Sequence, residues 1–181
     1  MFGRRKKTKG FTLIELIVVI TVIAILTIII LPDHKIGGQG FALQRSGYEL
    51  AQNIRRAQEM AMSAKKFHGA VPFGYGIYLT DEGISTSYIL YADVFPTGTG
   101  DQRWGAGDSI VERIELETGI KIQSVSPPRL SINFSPPRPK TRISGTNVPD
   151  GNKATITLAV IADPLRTKII RVNRAGLVSI D

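Results

Sequence analysis

Three groups of residues in this chain have the types and spacing to do chemistry. Glu15 is the only charged residue between Phe11 and Leu31, and an acid inside an apolar run is costly enough to mark a functional position. Asp93, Asp101 and Asp108 lie in the glycine-rich stretch ADVFPTGTGDQRWGAGD, where hard oxygens on a bendable loop would suit Ca²⁺. Arg129, Arg138, Lys140 and Arg142 stand in a stretch without acids, and Arg166, Lys168, Arg171 and Arg174 crowd the C-terminal end. Bases set this way could hold phosphates, with strong salt dependence and no sequence preference. Conventional catalysis has little to work with: there is no cysteine, the histidines are His34 and His68, and no GxSxG, HExxH or phosphate-loop pattern occurs. The chain reads as a non-enzyme without a cofactor.

The aspartates do not fit a known calcium loop. Against an EF-hand, Asp93 and Gly98 match the first and sixth positions, but Phe95 and Trp104 stand where oxygen ligands are required. Turn formation explains the same acids, so no metal is assigned, with calcium kept as the minor alternative.

Glu15 has a more specific setting. Residues 1–10 (MFGRRKKTKG) carry Arg4, Arg5, Lys6, Lys7 and Lys9 without an acid, and positive charge beside a span tends to stay on the cytoplasmic side. The uncharged run that follows is about long enough to cross ~30 Å of hydrocarbon as a helix. It is too long for an ordinary secretory signal, which also carries a small-residue cleavage site after its apolar region. Without cysteine, a lipid-modified cysteine anchor and any disulfide are excluded.

The basic leader, Gly10 and the sequence FTLIEL resemble the type III signal of type IV pilins and type II secretion pseudopilins. The resemblance implies that a prepilin peptidase cuts between Gly10 and Phe11 and methylates the new Phe11 amine, making Glu15 the fifth residue of the mature chain. It further implies that Glu15 guides assembly by facing the α-amine of a neighbouring Phe11, which would relieve the cost of a carboxylate in hydrocarbon. Snorkelling of Glu15 to the headgroups is the alternative. Pro32 matches a proline common in that family.

The elements that must position these residues follow from patterning. Pro32 with Gly37, Gly38 and Gly40 predicts a helix break and flexible joint over 32–40. Leu43, Gly47, Leu50, Ile54, Ala57, Ala61 and Ala64 then recur at helical spacing, predicting a helix over 41–66 whose apolar stripe packs on a sheet. Arg45, Glu49, Arg55, Arg56, Glu59, Lys65 and Lys66 fill other faces as solvated charge. Short β-branched and aromatic segments bounded by turn residues predict strands at 74–80, 86–92, 109–116, 120–125, 130–135, 154–162, 167–173 and 177–180. Of these, SIVERIEL (109–116) also fits a short helix. The expected class is α+β: a long N-terminal helix, transmembrane in its first half, packed on an antiparallel sheet. That is also the pilin architecture. The helix ending LAQNIRRAQEMAMSAKK, the strands and the closing RVNRAGLVSI hairpin resemble minor subunits of the GspH/FimT group. The expected organisation is a leader (1–10, removed), a transmembrane and assembly helix (11–31), the joint (32–40) and a soluble domain (41–181).

The formal charge of +8 falls to +3 once the leader goes. The remainder is divided, with residues 67–117 at −6 and residues 118–181 at +7, an asymmetry suited to contact between like subunits or attraction of a polyanion. SPPR occurs at 126–129 and 135–138, suggesting two basic turns stiffened by proline. The resemblance points to a structural subunit, minor in the filament, of a type IV pilus or secretion pseudopilus. Its expected location is the inner membrane as a single pass, leader inside and C-terminal domain outside, and then the filament. Expected partners are other pilin subunits, the prepilin peptidase, the assembly platform and, before assembly, membrane lipid. Some FimT-group subunits bind DNA during uptake, so a DNA-binding subunit is the alternative, although no aromatic-rich platform accompanies the bases. A monomeric membrane-anchored binding domain is a further alternative.

Overall fold

A computed structural model describes residues 11–30, 33–96, 98, 100–136 and 140–181. Two compact units divide the chain, Met1–Gly38 and Gln39–Asp181.

Helix α1 spans Leu13–Ile30. Its β-branched residues are mediocre helix formers in water, but in apolar surroundings a helix satisfies every backbone group within the segment. Its hydroxyls follow the same rule: Thr21 and Thr27 donate to the carbonyls of Ile17 and Ile23 at 2.8 Å.

Helix α2 spans Asp33–Met62. Within the expected Pro/Gly joint over 32–40 the backbone is helical from Asp33 through Gly37, Gly38 and Gly40, and Pro32 lies outside the described residues. Each glycine weakens a helix by about 1 kcal/mol relative to alanine without forbidding it. The C-terminal end also shifts, from residue 66 to Met62. Ala64 takes a left-handed φ of 45°, the Lys65 amide donates to the Met60 carbonyl at 3.0 Å and the Ala64 amide to Ala61 at 3.0 Å. These are the paired bonds of a Schellman cap, made here without the glycine that normally announces it. Leu43, Gly47, Leu50, Ile54, Ala57 and Ala61 are buried as the stripe predicts, and Ser46, Ala51 and Met60 widen the face. At Gly47 an added Cβ would stand 3.0 Å from Lys168 Cγ, so the missing side chain lets the helix lie close over a neighbouring strand.

The strands are β1 (Gly74–Leu79), β2 (Ser87–Asp93), β3 (Ser109–Glu115), β4 (Ile120–Ser126), β5 (Leu130–Ser135), β6 (Lys140–Gly145), β7 (Val148–Gly151), β8 (Lys153–Val160), β9 (Thr167–Asn173) and β10 (Val178–Ile180). They form two sheets rather than the single expected one, ordered β3-β2-β1-β5-β6-β7 and β10-β9-β8-β4, with every pairing antiparallel. One apolar core joins Leu50 and Ile54 of α2 to Ile77 and Leu90 of the first sheet and Ile156 and Ile170 of the second. Full burial of each such side chain contributes about 1.5–3 kcal/mol.

Strands β6 and β7 lie in residues 140–151, where the patterning predicted no strand. Only Ile143 and Val148 are large apolar residues there, too few to show alternation, and pairing with β5 from Ser131↔Ser144 to Ser135↔Lys140 supplies the order. SIVERIEL is the strand β3. Its helix-like spacing reflects an edge position and a register shift at Leu90/Tyr91, which interrupts the inside-outside alternation.

Candidate functional site

Thr12 precedes α1 and accepts a hydrogen bond from the Glu15 amide at 3.3 Å through Oγ1. The first helical bond runs from Leu16 N–H to Thr12 O at 3.2 Å. Thr12 is thus the N-cap and Glu15 the third helical residue, where an acid is favoured by the helix dipole. The sequence reading missed this although the T-x-x-E pattern carries it. From Phe11 to Ile28 every side chain of the protein is exposed, Leu13 at 77% and Ile28 at 70%. A surface that is apolar on all sides but for Glu15 and three threonines calls for lipid or other helices around it.

The basic residues divide among separate places. Arg129 sits in the β4–β5 turn with a left-handed φ of 51° and pairs with Glu82 at 2.7 Å. Arg138 lies outside the described residues. Lys140 and Arg142 share a face of β6, and the Arg142 guanidinium donates to the Asp101 carbonyl at 3.4 Å. Lys140 and Arg142 line a cleft with Gln102 and Asp150, and Arg174 reaches the same Asp150 at 2.6 Å.

The four bases over 166–174 are placed as follows. Arg166 belongs to the turn before β9, 3.4 Å from Asp163. Lys168 lies on β9 facing Gly47 of α2, whereas Arg171 lies on the opposite face by alternation and pairs with Asp181. Each acid of the C-terminal half, Asp150, Asp163 and Asp181, thus meets an arginine. On α2, Arg45 and Arg56 are likewise paired, with Glu117 at 3.0 Å and Glu112 at 2.7 Å, where the sequence suggested solvated charge. Exposed pairs of this kind contribute little stability, about 0–1 kcal/mol each.

Residues 5–31 match the family model described as the prokaryotic N-terminal methylation motif. The chain carries a prepilin-type N-terminal motif, which supports the type IV pilin and pseudopilin family. No curated protein and no solved structure matches the chain. The motif implies assembly with other pilin subunits, processing by a prepilin peptidase and anchorage in the inner membrane, and it points to a structural subunit rather than an enzyme. Among the described residues no helix is long and apolar enough to cross a membrane. At 18 residues, α1 covers about 27 Å; of the expected span over 11–31, Leu31 lies outside the described residues, as do Gly10 and the leader.

In this pilin-like chain the three aspartates come together. Asp93 ends β2, Asp108 immediately precedes β3, and Asp101 stands on the connection between them, with one oxygen from each within 4.8 Å of the others. Asp93 is fully buried. Its Oδ2 accepts from the Gln102 amide at 2.8 Å, and its Oδ1 is buried without a hydrogen-bond partner. Asp108 accepts from the amides of Val94, Phe95 and Gly105 at 3.1, 3.2 and 2.9 Å. Asp101 accepts from the Arg103 amide at 3.1 Å. Burial raises the Asp93 carboxyl to about 7, with the charges of Asp108 and Asp101 adding to it and the Gln102 hydrogen bond opposing. Burial also raises Asp108, against its three amide donors.

The connection is pinned to the first sheet through Tyr91. The Tyr91 hydroxyl lies 2.8 Å from Ser131 Oγ and accepts from Asn133 Nδ2 at 3.1 Å. Ser131 Oγ also accepts from the Trp104 amide at 3.1 Å, and the Trp104 ring rests 5.4 Å from Tyr91 and 5.9 Å from Tyr78. Periodicity cannot reveal this convergence, since it depends on which strands become neighbours.

Proposed function

We propose that the chain is a prepilin cleaved after Gly10, methylated on the Phe11 amine and held in the inner membrane through residues 11–31. It has the leader inside and the C-terminal domain outside. It then assembles through that helix, with Glu15 setting register, as a minor subunit of a type IV pilus or type II secretion pseudopilus. The supporting observation is the match over residues 5–31 on a helix that is apolar all round and carries one carboxylate in its first turn. In hydrocarbon that carboxylate gains most from a cationic partner, and the mature Phe11 amine of a neighbour supplies one. The helix followed by antiparallel sheets supports a GspH/FimT-like placement.

Coexpression with a prepilin peptidase tests this reading. The expected mature mass lacks residues 1–10 and gains one methyl group. A Gly10 substitution should abolish the change, and an identical mass with and without that substitution would refute the proposal.

DNA capture is the second reading, supported by Lys140, Arg142 and Arg174 around Asp150. The arginine–carboxylate pairs of the C-terminal half weigh against it, because a polyanion would have to displace them. Binding to double-stranded DNA that falls steeply with salt, and is lost when Arg129, Arg138, Arg171 and Arg174 are changed to Gln, would favour capture. No binding at low salt leaves the basic residues as subunit contacts.

A further inference from the structure

On the first sheet, Tyr78, Ser131 and Ser144 form one row across β1, β5 and β6, through the cross-strand pairs Tyr78↔Ser131 and Ser131↔Ser144. Ile77, Ile132 and Ile143, which alternate with them along the strands, belong to the apolar core, so the row lies on the opposite face. Two loops rise beside it. The β2–β3 connection brings Arg103 and Trp104, the latter anchored through its amide to Ser131 Oγ at 3.1 Å. The β4–β5 turn brings Arg129 and is fastened to the β6–β7 turn by the Thr146 amide, which donates to the Pro128 carbonyl at 2.8 Å. Between the loops is a cleft of about 390 Å³, within the range of small-molecule sites, about 300–1,000 Å³.

Two donors of the residues lining this cleft lack a hydrogen-bond partner. Ser144 is 2% exposed and its Oγ bonds to nothing in the chain, whereas its neighbour Ser131 is engaged by Tyr91 and Trp104. Arg103 Nε is likewise buried without a hydrogen bond, with Asp101 Oδ2 standing 4.0 Å away, beyond hydrogen-bond reach. Burying a polar group unpaired costs stability. Two such donors at one cleft point to an acceptor that comes from outside the chain.

We propose that the cleft binds an acidic sugar, a pyranose ring carrying a carboxylate. The guanidinium groups of Arg103 and Arg129 match a carboxylate in charge and in planar geometry, and Glu82, 2.7 Å from Arg129, holds that guanidinium at the rim. Ser144 Oγ is placed to serve a sugar hydroxyl. The rings of Tyr78 and Trp104, 5.9 Å apart and tilted by 33°, supply an aromatic wall whose negative faces attract the C–H side of the sugar. Among the described residues lining the cleft, none has a carboxamide or carboxylate side chain, the groups that pair with adenine and cytosine edges, which disfavours a nucleotide. The inference goes beyond the filament reading and does not depend on it.

Trp104, the only tryptophan, reports on the cleft through its fluorescence. With the full chain in detergent, glucuronate should change the emission saturably, and glucose, which lacks the carboxylate, should bind about tenfold more weakly or worse. Arg103→Gln and Ser144→Ala should each weaken glucuronate binding by about the same factor. Ser144→Ala removes a buried hydroxyl that bonds to nothing in the chain, so without sugar this variant should melt no lower than the unchanged chain. Tighter binding of a uronic-acid oligosaccharide than of glucuronate assigns the site to a polysaccharide, and equal binding assigns it to a single sugar acid. The proposal is overturned by no saturable change with either probe, by equal affinity for glucose, by tighter binding of adenosine monophosphate, by unchanged affinity in both variants, or by a Ser144→Ala chain that melts lower.

Discussion

Replacing Tyr91 with Phe removes one buried hydroxyl from beside the β2–β3 connection and leaves its ring in place. Tyr91 is fully buried, so the change withdraws an acceptor from Asn133 Nδ2, itself fully buried, and a partner from Ser131 Oγ. An orphaned buried amide costs about 1–3 kcal/mol. At about 2–4 °C per kcal/mol for a chain of this size, melting should fall by roughly 2–12 °C. The same substitution should alter alkaline stability. Burial raises the Tyr91 phenol well above its ordinary 10.0, with the Asp93 and Asp108 charges adding, and burial raises Tyr88 too. Above about pH 10 the unfolded chain releases these protons while the folded chain retains them, so stability is present below pH 10 and is lost as pH rises. Each retained proton contributes a slope of about 1.4 kcal/mol per pH unit. In Tyr91→Phe the decline should be shallower by about that amount, with Tyr88, Tyr75 and Tyr78, all raised by burial, contributing to what remains. Thermal unfolding of both chains in detergent at neutral pH and from pH 9 to 11 reads both effects. A variant with unchanged melting temperature and the same alkaline slope would refute the role assigned to this network.

Glu15→Gln should leave the processed mass unchanged while lowering incorporation into filaments at least about tenfold, equivalent to 1.4 kcal/mol. Normal incorporation, measured from sheared filaments, would remove the pairing argument. Gly76→Ala should destabilise by about 1–3 kcal/mol, because its Cβ would meet the Ile132 carbonyl oxygen at 2.5 Å and the Tyr91 ring at 2.6 Å, neither of which can withdraw. Leu50→Ala should cost about 2–5 kcal/mol by opening a cavity between α2 and the sheets, and a smaller loss in chemical denaturation would show that the helix packs more loosely than its burial indicates.

The sequence by itself determined the features set by local pattern. The methylation motif, the apolar run and the position of Glu15 are contiguous, and they remain the basis of the functional reading. Helical spacing from Leu43 to Ala61 identified the buried face of α2, because a packed helix repeats its apolar residues at its own period. β-branched segments between turn residues located the strands of the core in the same way. Tertiary structure decided what depends on pairing across distance. Strands β6 and β7 exist because β5 offers them hydrogen-bond partners, and their two large apolar residues could not signal it. The end of α2 at Met62 follows from two capping bonds and a left-handed Ala64, which the continuing apolar spacing concealed. A linear cluster of arginines became a set of ion pairs, since strand alternation sends Lys168 and Arg171 to opposite faces and brings Asp181 to Arg171. Asp93, Asp101 and Asp108 meet because β2 and β3 are neighbours with the connection folded back over the sheet, and that closure, rather than residue spacing, buries the Asp93 oxygen.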